Sequence, residues 1–282
     1  LASQAIMPLV GMAPDEDTAR LITVVILVVQ AVLVIASTRL LGLITSSAVG
    51  IELAIVVVLV IGLAAVMVLT GSGDLGNLTS RGVTAADPNY FAIGGGLMAG
   101  MIMGLTTLVG FDSAANLAEE AKDPFRSVPR AIVASVVAAG VLGLLFLIAL
   151  TAAIKDIPAV STSGSPVAAI IRSQLGPVAE RILLACLAFA MFGAGMVVMA
   201  ACSRQVFAMA RDARFPLHAW MRKVNPRTQT PVVATILILA VGLVLMLALP
   251  GEALMQLIIG STILPALIYA GIVILYLVVR KR

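Results

Sequence analysis

The chain has 282 residues, 61% of them hydrophobic and 11% charged, with a formal net charge of +4 and a mean hydropathy of +1.14. Soluble globular domains carry about 25% charged residues, so this composition leaves too little polar surface for a fold that faces water. Nucleic-acid binding is excluded as well, because the positive charge is explained by membrane topology and by contact with anionic lipid headgroups.

Residues 1–12 are apolar but too short to cross a bilayer, and they carry neither a basic start nor a small-residue cleavage site. They read as the tail of an upstream helix, and the chain as a fragment. Seven apolar blocks follow, at residues 21–38, 43–70, 91–118, 131–154, 182–203, 232–249 and 253–279. Each is long enough to cross roughly 30 Å of hydrocarbon. Lipid cannot hydrogen-bond a bare backbone, and these blocks lack the alternation of barrel strands, so they are helices. The expected fold is all-α: a polytopic membrane protein of about seven transmembrane helices, forming one transmembrane domain over residues 1–282.

With residues 1–20 outside, the outer segments hold Arg20, Arg81, Lys155, Arg172 and Arg181, and the remaining 13 of the 18 lysines and arginines lie inside. This is the positive-inside asymmetry of a multi-pass protein of the cell membrane. The outer connections, residues 71–89 and 156–177, are rich in Gly, Ser, Thr and Pro, whereas two inner ones are charged.

The second block carries Glu52 in an otherwise apolar run, two to three turns from its cytoplasmic end. Two readings stand. Glu52 snorkels or pairs at the interface, or it is a protonatable group in a coupling path, since desolvation raises a carboxyl pKa toward neutrality.

The third block differs from the rest. Gly96, Gly100 and Gly104 recur at four-residue intervals and share one helix face, which reads first as a seam for close helix approach. Thr106, Thr107, Gly110, Asp112, Ser113 and Asn116 then place polar groups and a carboxylate well inside the bilayer. A membrane tolerates this only where the groups face protein or water. A glycine followed by a carboxylate in mid-span is the pattern of a discontinuous helix whose freed amides and carbonyls meet a ligand near the midplane. The alternative is polar glue between two helices.

In the fifth block Cys186 and Cys202 are 16 residues apart on one helix, about 24 Å of axial rise, so they cannot form a mutual disulfide. A single histidine, His218, lies in an inner loop. No zinc spacing and no catalytic triad can be assembled, so no metal, no cofactor and no enzyme activity are expected.

Gly110 to Ile132, GFDSAANLAEEAKDPFRSVPRAI, resembles the signature at the end of the sixth helix of amino acid-polyamine-organocation transporters. Ser203 to Pro231, SRQVFAMARDARFPLHAWMRKVNPRTQTP, is similar to the same family's loop between helices eight and nine. The resemblance implies that the seven blocks correspond to helices four to ten of a leucine-transporter-type inverted repeat. It also implies that substrate sits between two broken helices, the family's first and sixth, of which this chain contains the sixth. By position in the motif, Val109, Gly110 and Phe111 would form the unwound stretch, with Thr106, Thr107, Asp112 and Ser113 lining the pocket or its gate. Asp112 would hold a substrate ammonium or else bond a helix end.

Where some family members place a lysine on the fifth helix, this chain has Glu52, which leaves proton or sodium open as the coupling ion. Where the family's inner loop often runs arginine, aspartate, glycine, this one reads Arg211, Asp212, Ala213, Arg214. Glu119 and Glu120, near Lys122 and Arg126, are expected to order the helix end. The implied function is secondary active transport of amino acids or related amines, such as 4-aminobutyrate, choline or polyamines, through the lipid bilayer by alternating access. The span count alone also admits a seven-helix receptor or sensor.

Overall fold

The computed structural model describes residues 6–7, 9, 15–84, 87–112, 114–115, 121, 123–163, 165–249 and 251–280. Among these there are helices, turns and loops and no strand. The helices are α1 (Glu16–Ala36), α2 (Thr38–Thr70), α3 (Gly96–Leu108), α4 (Pro124–Ala152), α5 (Ile157–Ser161), α6 (Pro166–Leu175), α7 (Pro177–Arg211), α8 (His218–Met221), α9 (Val232–Ala248) and α10 (Gly251–Arg280).

Five helices are long and apolar enough to cross a membrane: α1, α2, α4, α7 and the second part of α10, Ile263–Arg280. The apolar helix α9, with 17 residues, adds a shorter sixth. Several ends lie beyond the hydropathy blocks. Helix α7 runs from Pro177 to Arg211 rather than 182–203, because hydropathy marks only the stretch that lipid surrounds, whereas backbone hydrogen bonding carries the helix into the headgroups. Proline at its first position supplies a fixed helical φ where no N–H partner is needed.

The third block starts later than its hydropathy suggests: the described residues form a 13-residue helix, α3, with turns over 91–95 in place of a helical start. The chain then leaves helical geometry at Val109, the first residue of the stretch expected to be unwound.

Helix α1 is capped by Asp15, whose carboxylate accepts from the Thr18 amide at 2.9 Å and from the Thr18 hydroxyl at 2.7 Å. The hydroxyl bond, then the amide bond, hold the Asp15 carboxyl below its ordinary range. The cap is therefore complete above the usual carboxylate pKa and is lost as acid titrates the held form.

The described chain divides into two compact units, Leu1–Ser80 with Leu144–Leu247, and Arg81–Gly143 with Ala248–Arg282. In the first, α7 is the central post against which α1, α2 and α6 pack. The contact with α2 is close: a Cβ built on Gly193 would lie 2.4 Å from the Ala48 Cβ, so only glycine permits this spacing. Beside it the buried Gln30 of α1 donates its side-chain N–H to the Phe192 carbonyl of α7 at 2.8 Å. Alanine is the commonest residue among the buried apolar side chains, and Leu63, Ala153, Met196 and Ala234 are fully enclosed.

At the outer end of this unit, α4 finishes inside a polar collar. The Asn77 amide donates to the carbonyls of Thr151 and Ile154, the Asp74 N–H to that of Ala152, and the Gln174 amide to that of Ala153. Carbonyls that a helix end leaves without donors are thereby satisfied. At the inner end α7 closes with the Arg214 N–H on the Met209 carbonyl and the Ala213 N–H on that of Ala210, a Schellman arrangement with Ala213 at φ 55°.

In the second unit α3 packs on α10. The last two turns of α10, Ile272 to Val279, are at least half exposed on every face, an apolar surface suited to lipid.

Candidate functional site

The site is built at the end of α3. Helical backbone stops at Leu108; Val109 is extended at ψ 144°, and Gly110 takes φ 100°, a conformation that an L side chain resists. Phe111 and Asp112 then enter a tight turn. Stopping a helix here strips the carbonyls of its last turn of their intrahelical donors, and in a span that is stable only beside protein, water or a polar ligand.

Asp112 is held from a distant part of the chain. The Tyr269 hydroxyl of α10 donates to Asp112 Oδ1 at 2.6 Å, in the range of a charge-assisted bond. The Tyr269 ring also lies against Phe111, with centroids 4.7 Å apart and planes tilted by 38°. One tyrosine thus fixes both residues that follow the glycine. On its other side the break borders an open cleft of about 380 Å³, walled by Leu108, Val109, Gly110, Phe111 and Ala114 and by Ala131, Ser135, Val136 and Ala139 of α4. The Ser135 hydroxyl is turned onto its own helix, donating to the Ile132 carbonyl at 2.8 Å, so the α4 wall is effectively apolar.

Of the residues expected from the sequence, Val109, Gly110, Phe111 and Asp112 come together at this break. Thr106 and Thr107 fall on the last turn of α3, and their side chains lie outside the described residues. Ser113, with Asn116, Glu119, Glu120 and Lys122, also lies outside them. Glu52 belongs to the first unit, exposed on α2. Because α2 begins at Thr38 rather than near residue 43, Glu52 lies about four turns from that helix end. Tyr269 was not anticipated. Its only signal in the sequence is a hydroxyl in an apolar span, four residues after Pro265.

No group of three or more His, Cys, Asp and Glu side chains suited to a metal occurs among the described residues. Both cysteines are free thiols.

The sequence pattern of the family described as "Amino acid permease" matches residues 1–282. The chain belongs to this family. Among its relatives, the GABA-specific permease of Saccharomyces cerevisiae is 36% identical over 140 residues, 49% of this chain and 24% of that protein. The choline transporter of the same yeast is 31% identical over 175 residues, 61% of this chain and 31% of its own length. Amino-acid permease 2 of Neurospora crassa is 34% identical over 130 residues, 45% of this chain and 24% of its own. The chain thus spans about a quarter to a third of these curated relatives.

The resemblance to amino acid-polyamine-organocation transporters is therefore one of kinship, and the chain belongs to a multi-pass membrane protein of a transporter family, not an enzyme family.

Proposed function

We propose that this chain is the membrane body of a secondary active transporter for amino acids or small amines, working by alternating access, with the break at Val109–Asp112 forming one side of the substrate site. The observation that carries the reading is a carboxylate at a helix break, Asp112, held by the Tyr269 hydroxyl at 2.6 Å. Such a group can receive a substrate ammonium, while the carbonyls freed at the end of α3 accept its remaining N–H donors. The names of the relatives, a GABA permease, a choline transporter and an amino-acid permease, point to the same class of cationic or zwitterionic cargo. Thr106, Thr107 and Ser113 would complete the lining, and Glu52 would carry the coupling proton, with sodium as the rival ion.

Uptake of labelled amino acids, 4-aminobutyrate, choline and polyamines into vesicles holding the full-length protein tests this reading. At least one should accumulate, and Asp112→Asn should reduce its uptake about tenfold or more, as loss of a charged hydrogen-bond partner does. Uptake of none of them would overturn the assignment.

A further inference from the structure

Where the outer loop turns into α3, three side chains meet that the break at Val109–Asp112 does not use. The Arg81 guanidinium carbon lies 4.8 Å from the centroid of the Phe91 ring and 5.3 Å from that of the Tyr90 ring. The rings stand 85° to each other with centroids 5.0 Å apart, so they form a right-angled corner with a cation seated over both. Aromatic faces attract cations through the ring quadrupole, and assemblies of such faces select alkylated ammonium groups.

The corner is fixed by main chain. The Asn89 N–H donates to Asp87 Oδ1 at 2.9 Å, the Ala92 N–H to the Asn89 carbonyl at 2.9 Å, and the Leu97 N–H to the Tyr90 carbonyl at 3.1 Å. A Cβ on Gly96 would stand 3.0 Å from the Tyr90 ring, so that ring rests on bare backbone at the start of α3. Arg81, by contrast, has no carboxylate partner among the described residues. Ring faces alone retain its guanidinium at an exposed position, a weak hold. Phe91, 68% exposed, leaves the corner open to an incoming solute, and the charge asymmetry of the chain puts this loop on the outer side.

We propose that the Tyr90–Phe91 corner is an outer capture site for substrates bearing an alkylammonium or quaternary ammonium group, and that Arg81 is its resident stand-in, displaced by the arriving cation. The inference rests on the reading of the cargo as an amine. It adds a station that precedes the break and selects on the onium group alone.

The test separates the two claims. In the full-length protein, Phe91→Leu should raise the KM for choline about two- to fivefold, the loss of one exposed cation–π contact, with kcat little changed. Arg81→Gln should lower KM, because a competing cation is removed, and Tyr90→Phe, which keeps the face, should behave as the parent. Shifts of the same sign in Phe91→Leu and Arg81→Gln, or none in either, would reduce the cluster to a loop clasp and overturn the proposal. A readout independent of transport is the ring ¹³C signals of Phe91 and Tyr90 on titration with tetramethylammonium. A protein that takes up no amine yet shows that shift, abolished by Phe91→Leu, would overturn the transport reading and uphold the capture site. Uptake with no shift would do the reverse.

Discussion

A carboxylate within a membrane span persists where a partner holds it, and for Asp112 that partner is Tyr269. The hydroxyl and the ring do different things: one bonds Asp112 Oδ1, the other lies on Phe111. Tyr269→Phe should therefore keep the stacking, release the carboxylate and raise the KM for amine substrates about tenfold, the order expected of one hydrogen bond to a charged group. Tyr269→Leu should lose both contacts and fall further. Equal KM values for Tyr269→Phe and the parent would show that the bond does not position Asp112 for substrate. Asp112 and Gly110 were legible in the sequence because a glycine and a carboxylate in mid-span break two local expectations at once. Tyr269 was not, since the pairing spans 157 positions and an isolated tyrosine in an apolar helix satisfies every local rule.

Helix ends and helix contacts carry the next scale. The C-terminus of α7 puts Ala213 at φ 55°, in the left-handed region where a Cβ is strained and glycine is favoured. The family pattern has glycine near this position, and the backbone here retains the geometry without the residue. Ala213→Gly should relieve that strain and stabilise the protein by about 1 kcal/mol, seen as a higher melting temperature in detergent with uptake unchanged. A lower one would mean the Ala213 methyl packs productively.

The opposite sign is expected within α7. The 2.4 Å approach of a Gly193 Cβ to Ala48 means that Gly193→Leu must push α2 away, breaking the packing that also seats Gln30 on the Phe192 carbonyl. A loss of about 1 to 3 kcal/mol is expected for such overpacking, read as earlier thermal aggregation, whereas Gly242→Leu, with no atom within 4 Å of its Cβ, should be tolerated. Block length and the need to satisfy the backbone in lipid revealed that these spans are helices. Neither could reveal which glycine faces a neighbour, because α7 is apolar or small on most sides, and a face emerges only when the partner helix is present.

Across the whole molecule, hydropathy and charge asymmetry were enough to define a polytopic membrane fold, since every span obeys the same solvent rule. Span ends needed backbone geometry. That geometry gives Glu52 its weight. Helix α2 has 33 residues, about 50 Å of rise against roughly 30 Å of hydrocarbon, and Glu52 lies about 21 Å along it from Thr38. A helix overhanging both faces to a similar degree would place this carboxylate near the bilayer centre, where an ionised group is expensive. The sequence leaves two roles for Glu52, pairing at the interface or a protonatable group in a coupling path, and these predict different outcomes for one substitution. Glu52→Gln keeps the shape and removes the proton site. In vesicles with an imposed inward proton gradient, the variant should lose at least about tenfold in gradient-driven accumulation while still exchanging labelled for unlabelled substrate, because exchange needs the site at the break but no net proton movement. Loss of exchange together with accumulation would make Glu52 a structural requirement. Accumulation equal to the parent's would assign coupling to another ion.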